Sequence, residues 1–438
     1  MYLTQGLHRS VQRHRQDTAL TDWNEGVQRR WTFAQLADEV ARQAGALRAL
    51  GIAPGDRVAL LAANSDQMIQ AILACWWLGA IACPLNTRWS LVEIDYALRD
   101  SEAALVLHDD ALSVPPGPAS AVSLDQLHTQ AAVSAALADT RTGGEQLAAI
   151  LYTGGTTGPA KGVMLSHANF WSASMTRGAE LNNPPESLSL LVAPLFHVAG
   201  LGRMIGQLIV GGRWVTMAQF RIPGVLAAIS ALGINDTIVV PSMLQALLDA
   251  PEFNAASLQC LQRIAFGAAP MPPDLLDRAL TAWPQAEFFQ AYGLTETAGA
   301  VCINMPVNHL PQSRARGLLN SVGRAGLGAE ILITDESGHE MPRGQVGEIR
   351  VRGPMVMQGY WRKPEATATA FADGWFRTGD AGRMQDDGYL FIVDRLKDMI
   401  ISGGENVYCS EVETVLRSHP RVEQVAIIGV PDTKWGEA

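Results

Sequence analysis

The chain has 438 residues, 48% of them hydrophobic, enough to bury a sizeable core in one large body plus a smaller domain. Acidic residues outnumber basic ones 43 to 33, for a formal charge of −10 without any Lys/Arg cluster, which argues against a nucleic-acid partner and leaves small phosphate ligands held locally. The five cysteines form no CxxC pair, no apolar run reaches the roughly 18 residues of a membrane span, and the Arg-rich start lacks a signal-peptide core, so a soluble cytoplasmic protein without disulfides or structural zinc is expected.

Short β-rich apolar runs alternate with helical patterns along most of the chain, which predicts an α/β fold whose large N-terminal body holds mostly parallel sheets flanked by helices. A strand at 58–62 precedes a helix over 65–78, a strand at 147–152 leads into a glycine loop and then a helix-like stretch, and a strand at 190–193 runs into Pro194. Further strands are expected at 237–240, 263–266 and 288–292, several ending in Gly, Pro, Thr or His, where open parallel sheets place ligands. The Ala/Ser/Pro-rich segment 111–123 reads as a surface loop. From about Val322 the texture changes to short β runs at 329–333, 347–352 and 388–393, a smaller β layer over 322–393. The large domain is therefore assigned to 1–394. A small, incomplete α+β domain follows over 395–438, with Ser410-Glu411-Val412-Glu413 as a capping box opening a helix and 425–430 as a strand.

The run Tyr152-Thr153-Gly154-Gly155-Thr156-Thr157-Gly158-Pro159-Ala160-Lys161-Gly162 has the chemistry of a phosphate loop. Glycines let backbone N–H groups approach phosphate oxygens, threonine hydroxyls add donors, and Lys161 adds a mobile positive charge. It is not a Walker A loop, in which Gly precedes and Ser or Thr follows the lysine, because Ala160 and Gly162 flank Lys161 here. By residue type alone the run is equally a flexible surface loop, His197 a hydrogen-bonded structural histidine, and Glu296 a solvated carboxylate.

The loop resembles the T-S-G-T-T-G-x-P-K-G loop of the adenylate-forming superfamily, with Gly154 in place of the serine and Ala160 in place of the proline. Other segments match that family in order: Pro194-Leu195-Phe196-His197-Val198-Ala199-Gly200, Gly267-Ala268-Ala269-Pro270, Gln290-Ala291-Tyr292-Gly293-Leu294-Thr295-Glu296-Thr297, Trp375-Phe376-Arg377-Thr378-Gly379-Asp380 and Asp394-Arg395-Leu396-Lys397-Asp398. The stretch from Lys397 to Tyr408, with Ser402-Gly403-Gly404, is similar to the acyl-CoA synthetase and aryl-CoA ligase branch.

This resemblance implies roles for particular residues. Thr153, Gly154, Gly155, Thr156, Thr157 and Lys161 would surround the ATP phosphates. Gly267, Ala268, Ala269, Gln290, Ala291, Tyr292 and Gly293 would lie along the nucleotide. Thr295 would meet phosphate, Glu296 would hold Mg2+, and Asp380 and Arg395 would bind the ribose end. Lys397 would be the hinge, and Ser402, Gly403 and Gly404 would line the coenzyme A path. His197, Leu201, Met204, Val240, Ala298 and Val301 would form the acyl pocket. Lys161, His197, Thr295 and Glu296 make up the expected catalytic set. The apolar lining favours a fatty or aromatic monocarboxylate, with Arg203 either at the surface or paired to a second substrate carboxylate.

The implied reaction is attack of a carboxylate on the α-phosphate of ATP, then displacement of AMP by the CoA thiol, with catalysis resting on orientation and charge neutralisation. Two other readings stand beside it: an acyl-AMP maker with a non-CoA acceptor, and a catalytically silent nucleotide-binding relative. The family's P-x-x-x-x-G-K segment has no counterpart in these residues, and Lys434 sits in a different segment, P-D-x-x-W-G-E, so a chain truncated in its small domain and weak in adenylation is expected. Homo-oligomerisation is left open.

Overall fold

The computed structural model describes residues 1–438 except 25–26, 118, 156–157, 183, 268, 270, 403–404, 418, 420 and 423–424. Capping chemistry sets the helix boundaries. Thr32 and Gln35 form a reciprocal capping box at the start of helix Phe33–Ala49. Ser65 caps helix Asp66–Leu78, which stops where Gly79 takes φ +87, a left-handed conformation that glycine enters without strain. That helix is buried along its length, with Cys75 and Trp76 wholly inside, because sheets and helices cover it on every side.

Four sheets are present among the described residues. In the nine-stranded sheet, Glu287–Leu294, Arg263–Gly267, Asp236–Val239, Leu188–Leu191 and Arg213–Thr216 are parallel neighbours, and Gly299–Asn304 returns antiparallel on Glu287–Leu294. The seven-stranded sheet places Leu147–Gly155 beside Ile81–Pro84 on one side and Gly158–Ser166 on the other, with Gly359–Tyr360 at the edge. A five-stranded antiparallel sheet holds Glu330–Thr334, Val346–Arg352, Trp375–Met384 and Leu390–Arg395, and a small four-stranded sheet follows. No helix among the described residues is long and apolar enough to cross a membrane.

Three local expectations are corrected. The glycine loop leads into a strand rather than a helix: Leu147–Gly155 and Gly158–Ser166 form a hairpin with Thr153 opposite Lys161. Val163 and Leu165 are buried at period two, so the segment satisfies a sheet face, and the helix begins only at His167 behind the Ser166 cap. Residues 425–430 form no strand; the backbone of Val430 pairs with Ala438, and Ile428 stays 75% exposed, leaving the run without a face to bury. Ser410 is inside helix Cys409–Arg417 instead of capping it. Its hydroxyl donates to the Val393 carbonyl, and Asp394 Oδ2 accepts its N–H at 3.1 Å.

Candidate active site

The carboxyl ends of the parallel strands lie along one edge of the nine-stranded sheet, where the crevice of an open α/β sheet forms. Gly267 stands in register with Ala291, and a Cβ on Gly267 would sit 2.7 Å from the Ala291 carbonyl oxygen, so the end of strand Arg263–Gly267 approaches Ala291 closely because glycine is there. Tyr292 is buried, and its hydroxyl donates to Asp380 Oδ2 at 2.6 Å. Arg395 Nε lies 2.7 Å from the other oxygen, Asp380 Oδ1. Burial raises the Asp380 pKa, while the Tyr292 hydrogen bond and the Arg395 and Lys397 charges oppose that rise. The Asp380 N–H donates to Thr378 Oγ1 at 3.0 Å, and the Thr378 hydroxyl donates to the Ile349 carbonyl at 2.7 Å, fixing the carboxylate on the five-stranded sheet.

The turn after strand Glu287–Leu294 is closed by Thr297, whose Oγ1 accepts from the Leu294 N–H at 2.9 Å and donates to the Gly299 carbonyl at 2.6 Å. Ala298 at φ +52 and Gly299 at φ +117 complete the reversal. A Cβ on Gly293 would stand 1.9 Å from the Gly299 oxygen, so the turn excludes a side chain there. This leaves Thr295 and Glu296 half-buried on a single 3-10 turn. Across the gap, the Lys161 ammonium sits 4.6 Å from the centroid of the Tyr360 ring, and the Tyr360 hydroxyl donates to Glu296 Oε1 at 2.9 Å. One hard carboxylate beside a phosphate-type loop fits Mg2+, which takes one or two carboxylates and completes its shell with phosphate oxygens and water.

His197 is exposed at the start of helix Val198–Val210, its ring 4.6 Å from that of Phe196. Partial burial lowers its pKa, as does the Arg88 charge, and both favour the neutral imidazole. Leu201, Met204, Ala298 and Val301 share one buried cluster, whereas Val240 is half-buried at the start of helix Pro241–Leu248. Arg203 meets neither expectation: it is 2% exposed, donates to Ser189 Oγ at 3.0 Å, and pairs with buried Asp236, which Gln207 Nε2 also reaches at 3.1 Å. Helical periodicity turns Arg203 and Gln207 toward the strands while Leu201 and Met204 face the core cluster.

The structure thus gathers Lys161 with Glu296, and Tyr292 with Asp380 and Arg395. Lys397 is exposed, Gly154 is exposed near the end of strand Leu147–Gly155, Ala269 is exposed, and Ser402 lies in the small sheet opposite Glu405. Thr156, Thr157, Ala268, Gly403 and Gly404 lie outside the described residues. Sequence reasoning did not single out Tyr360 or Asn169. The Gly359-Tyr360 pair was the available signal, a permissive glycine followed by an amphipathic aromatic, but its partners are far away in sequence.

The chain matches the AMP-binding enzyme family over residues 7–361 and the AMP-binding enzyme C-terminal domain over 411–438. A feruloyl-CoA synthase of Amycolatopsis sp. is 38% identical over 416 residues, 93% of this chain and 82% of that protein. A long-chain-fatty-acid–CoA ligase of Mycobacterium tuberculosis is 37% identical over 423 residues, with the same coverage of 93% and 82%. Among solved structures, the o-succinylbenzoate CoA synthetase of Bacillus subtilis with its acyl-adenylate superposes at TM-score 0.87 and 31% identity, over 99% of this chain and 86% of that one. The same enzyme with ATP and magnesium gives 0.85 and 30%, over 99% and 87%. The chain therefore belongs to the AMP-binding enzyme family, within the acyl-CoA synthetase part of the adenylate-forming superfamily.

Proposed function

We propose that this protein is an ATP-dependent carboxylic acid:CoA ligase that works through an acyl-adenylate on a fatty or aromatic monocarboxylate. The observation that carries the reading is the meeting of Lys161, from the glycine-loop hairpin, with Glu296, from the end of a strand in a different sheet, around one tyrosine. A cation and a carboxylate held this way suit a nucleotide triphosphate with its divalent ion. At the other end Asp380 already accepts from Tyr292 and Arg395, and each carboxylate oxygen retains a second lone pair for a ribose hydroxyl. The feruloyl-CoA synthase and the long-chain-fatty-acid–CoA ligase carry the names of acid:CoA ligases, which supports CoA as the acceptor.

In this reading the loop amides, Thr153 and Lys161 bind the phosphates, with Thr295 beside them. Bound magnesium, held through Glu296, would neutralise charge building on the departing pyrophosphate. A substrate carboxylate oxygen bonds to the α-phosphorus as the bond to pyrophosphate breaks. The CoA sulfur, having lost its proton, then bonds to the acyl carbon, and AMP leaves with the electron pair of the broken C–O bond. Arg395 and Lys397 couple the second step to the segment at Ser402–Gly404, with Lys397 as the hinge. The apolar side of helix Val198–Val210 faces the acyl group, and Arg203, neutralised by Asp236, supplies no cation for a second carboxylate.

The test is AMP release with ATP and magnesium over a panel of fatty, aromatic and dicarboxylic acids, with and without CoA. The expected outcome is CoA-stimulated release with monocarboxylates. Release indifferent to CoA would point to another acceptor, and ATP binding without release would leave a silent nucleotide binder.

A further inference from the structure

We infer that Tyr360 is a positioning residue of the phosphate-binding end, a spacer that keeps Lys161 and Glu296 close without letting them collapse onto each other. The inference rests on the proposal that Lys161 meets phosphate and Glu296 meets magnesium. Two opposite charges at this range, left to themselves, would form an ion pair, which an incoming metal–nucleotide complex would have to break. Tyr360 prevents this with two different surfaces. Its ring face carries the Lys161 ammonium at 4.6 Å, and its hydroxyl donates to Glu296 Oε1 at 2.9 Å. Among the described residues, no ion pair links Lys161 and Glu296, which meet only through Tyr360. The lysine keeps its three N–H donors for phosphate, and the carboxylate keeps Oε2 for a metal while Oε1 is fixed in direction.

The tyrosine is itself held on several sides, as a spacer has to be. It is buried, with 8% exposure, and its N–H donates to Thr367 Oγ1 at 2.9 Å. The residues around it are tied to both partners' elements. The Trp361 N–H donates to the Gly162 carbonyl at 2.7 Å, next to Lys161, and the Met357 N–H donates to the carbonyl of Glu296 itself at 2.8 Å. Asn169 Nδ2 anchors the approach by donating to the carbonyls of Pro354 at 2.9 Å and Val356 at 2.8 Å. Gly359 at φ +134 allows the sharp entry, and a Cβ there would stand 2.6 Å from Thr367 Cγ2. The strand pair Gly359–Tyr360 with Val163 and Met164 completes the frame. All of this places one aromatic ring between two side chains supplied by separate sheets.

The two halves of the tyrosine separate experimentally. Tyr360→Phe keeps the ring under Lys161 and deletes the hydroxyl, whereas Tyr360→Leu also removes the ring. ATP binding to the full chain is measured by calorimetry in EDTA, and Mn2+ binding to the protein–ATP complex by electron paramagnetic resonance, each beside a urea midpoint. For Tyr360→Phe the expected result is a metal dissociation constant about tenfold higher or more, with metal-free ATP affinity unchanged. Tyr360→Leu is expected to weaken both. In a Glu296→Gln background, Tyr360→Phe should add no further metal effect. Wild-type metal affinity in Tyr360→Phe would overturn the inference, as would equal loss of ATP affinity with and without metal, which a merely structural role produces. If wild type shows no metal-dependent gain in ATP binding, the role given to Glu296 fails instead, and that failure is visible without any variant.

Discussion

Residues 1–394 and the residues after them are held together by different forces. The larger part buries Trp76, Trp214 and Trp283 almost completely and builds its sheets around extensive apolar clusters. The later part leaves Val415 70% exposed, Ile428 75% and Trp435 48%, and much of what ties it to the body is polar: Asp394 to the Ser410 N–H, the Ser410 hydroxyl to Val393, and Arg395 to Asp380. Contacts of that kind contribute about 1 kcal/mol each, against about 3 to 5 kcal/mol for one large buried side chain. The residues that would grip a nucleotide are thus mounted on the stiff part, and the one that reaches Asp380 from beyond it, Arg395, is joined cheaply. On the proposed two-step reaction, such a division would let the second part be repositioned between steps without disturbing the first.

The largest effect expected from breaking this contrast is in the body. Asp236 is the carboxylate that pairs with buried Arg203, and Arg177 nearby has its pKa lowered to about 9 by burial and by the like charge of Arg203. Asp236→Ala leaves a guanidinium buried without its counter-ion and should cost about 3 to 5 kcal/mol in urea denaturation, while the double replacement Arg203→Met, Asp236→Leu should recover much of that loss. Next comes an acid effect, also in the body. Burial holds His167 and His309 to a pKa of about 4, and the Leu3 N–H donates to His167 Nδ1 at 3.3 Å, an acceptor role that needs the neutral ring. The folded pKa is below the unfolded one, so the unfolded chain binds more protons between about pH 6.5 and 4, and stability is lost as pH falls through that window and levels off below it. Each histidine accounts for about 3 kcal/mol over that range. His167→Gln should therefore flatten the fall in urea midpoint between pH 7 and 4.5 relative to wild type; an unchanged slope would show that His167 titrates normally.

The comparison also explains what the sequence could and could not say. The strands at 263–267 and 287–294 were legible because apolar runs end at Gly and Thr turns, and the helix over 66–78 because Ser65 and Gly79 mark its ends. The family resemblance singled out Lys161, Glu296 and Asp380, but not what each touches. Arg203 was misread because a charged residue on an apolar helix is ordinarily at a surface, and its counter-ion Asp236 comes from a strand whose pairing no local pattern reveals. Tyr360 was overlooked for the same reason: its two partners belong to other elements and meet it only after two sheets have assembled. At 425–430 apolarity alone suggested a strand, but a strand needs a partner for its backbone and a face to bury, and apolarity supplies neither.

The smallest expected effect tests the other side of the contrast. On helix Cys409–Arg417, Val412, Val415 and Leu416 are 37%, 70% and 41% exposed, an i, i+3, i+4 stripe that in a body helix would face the core. Because Val415 has already paid little desolvation-driven gain, Val415→Ser should move the urea midpoint by no more than about 0.5 kcal/mol, whereas Phe170→Ala in the body should cost about 3 to 5 kcal/mol. The sharper measurement is concentration dependence: wild type and Val415→Ser should denature alike at low and high protein concentration if the stripe faces solvent. A shift above about 2 kcal/mol, or one that grows with concentration, would mean the stripe is covered in solution, and the polar-joint picture of the later residues would have to give way to one in which they too carry a packed face.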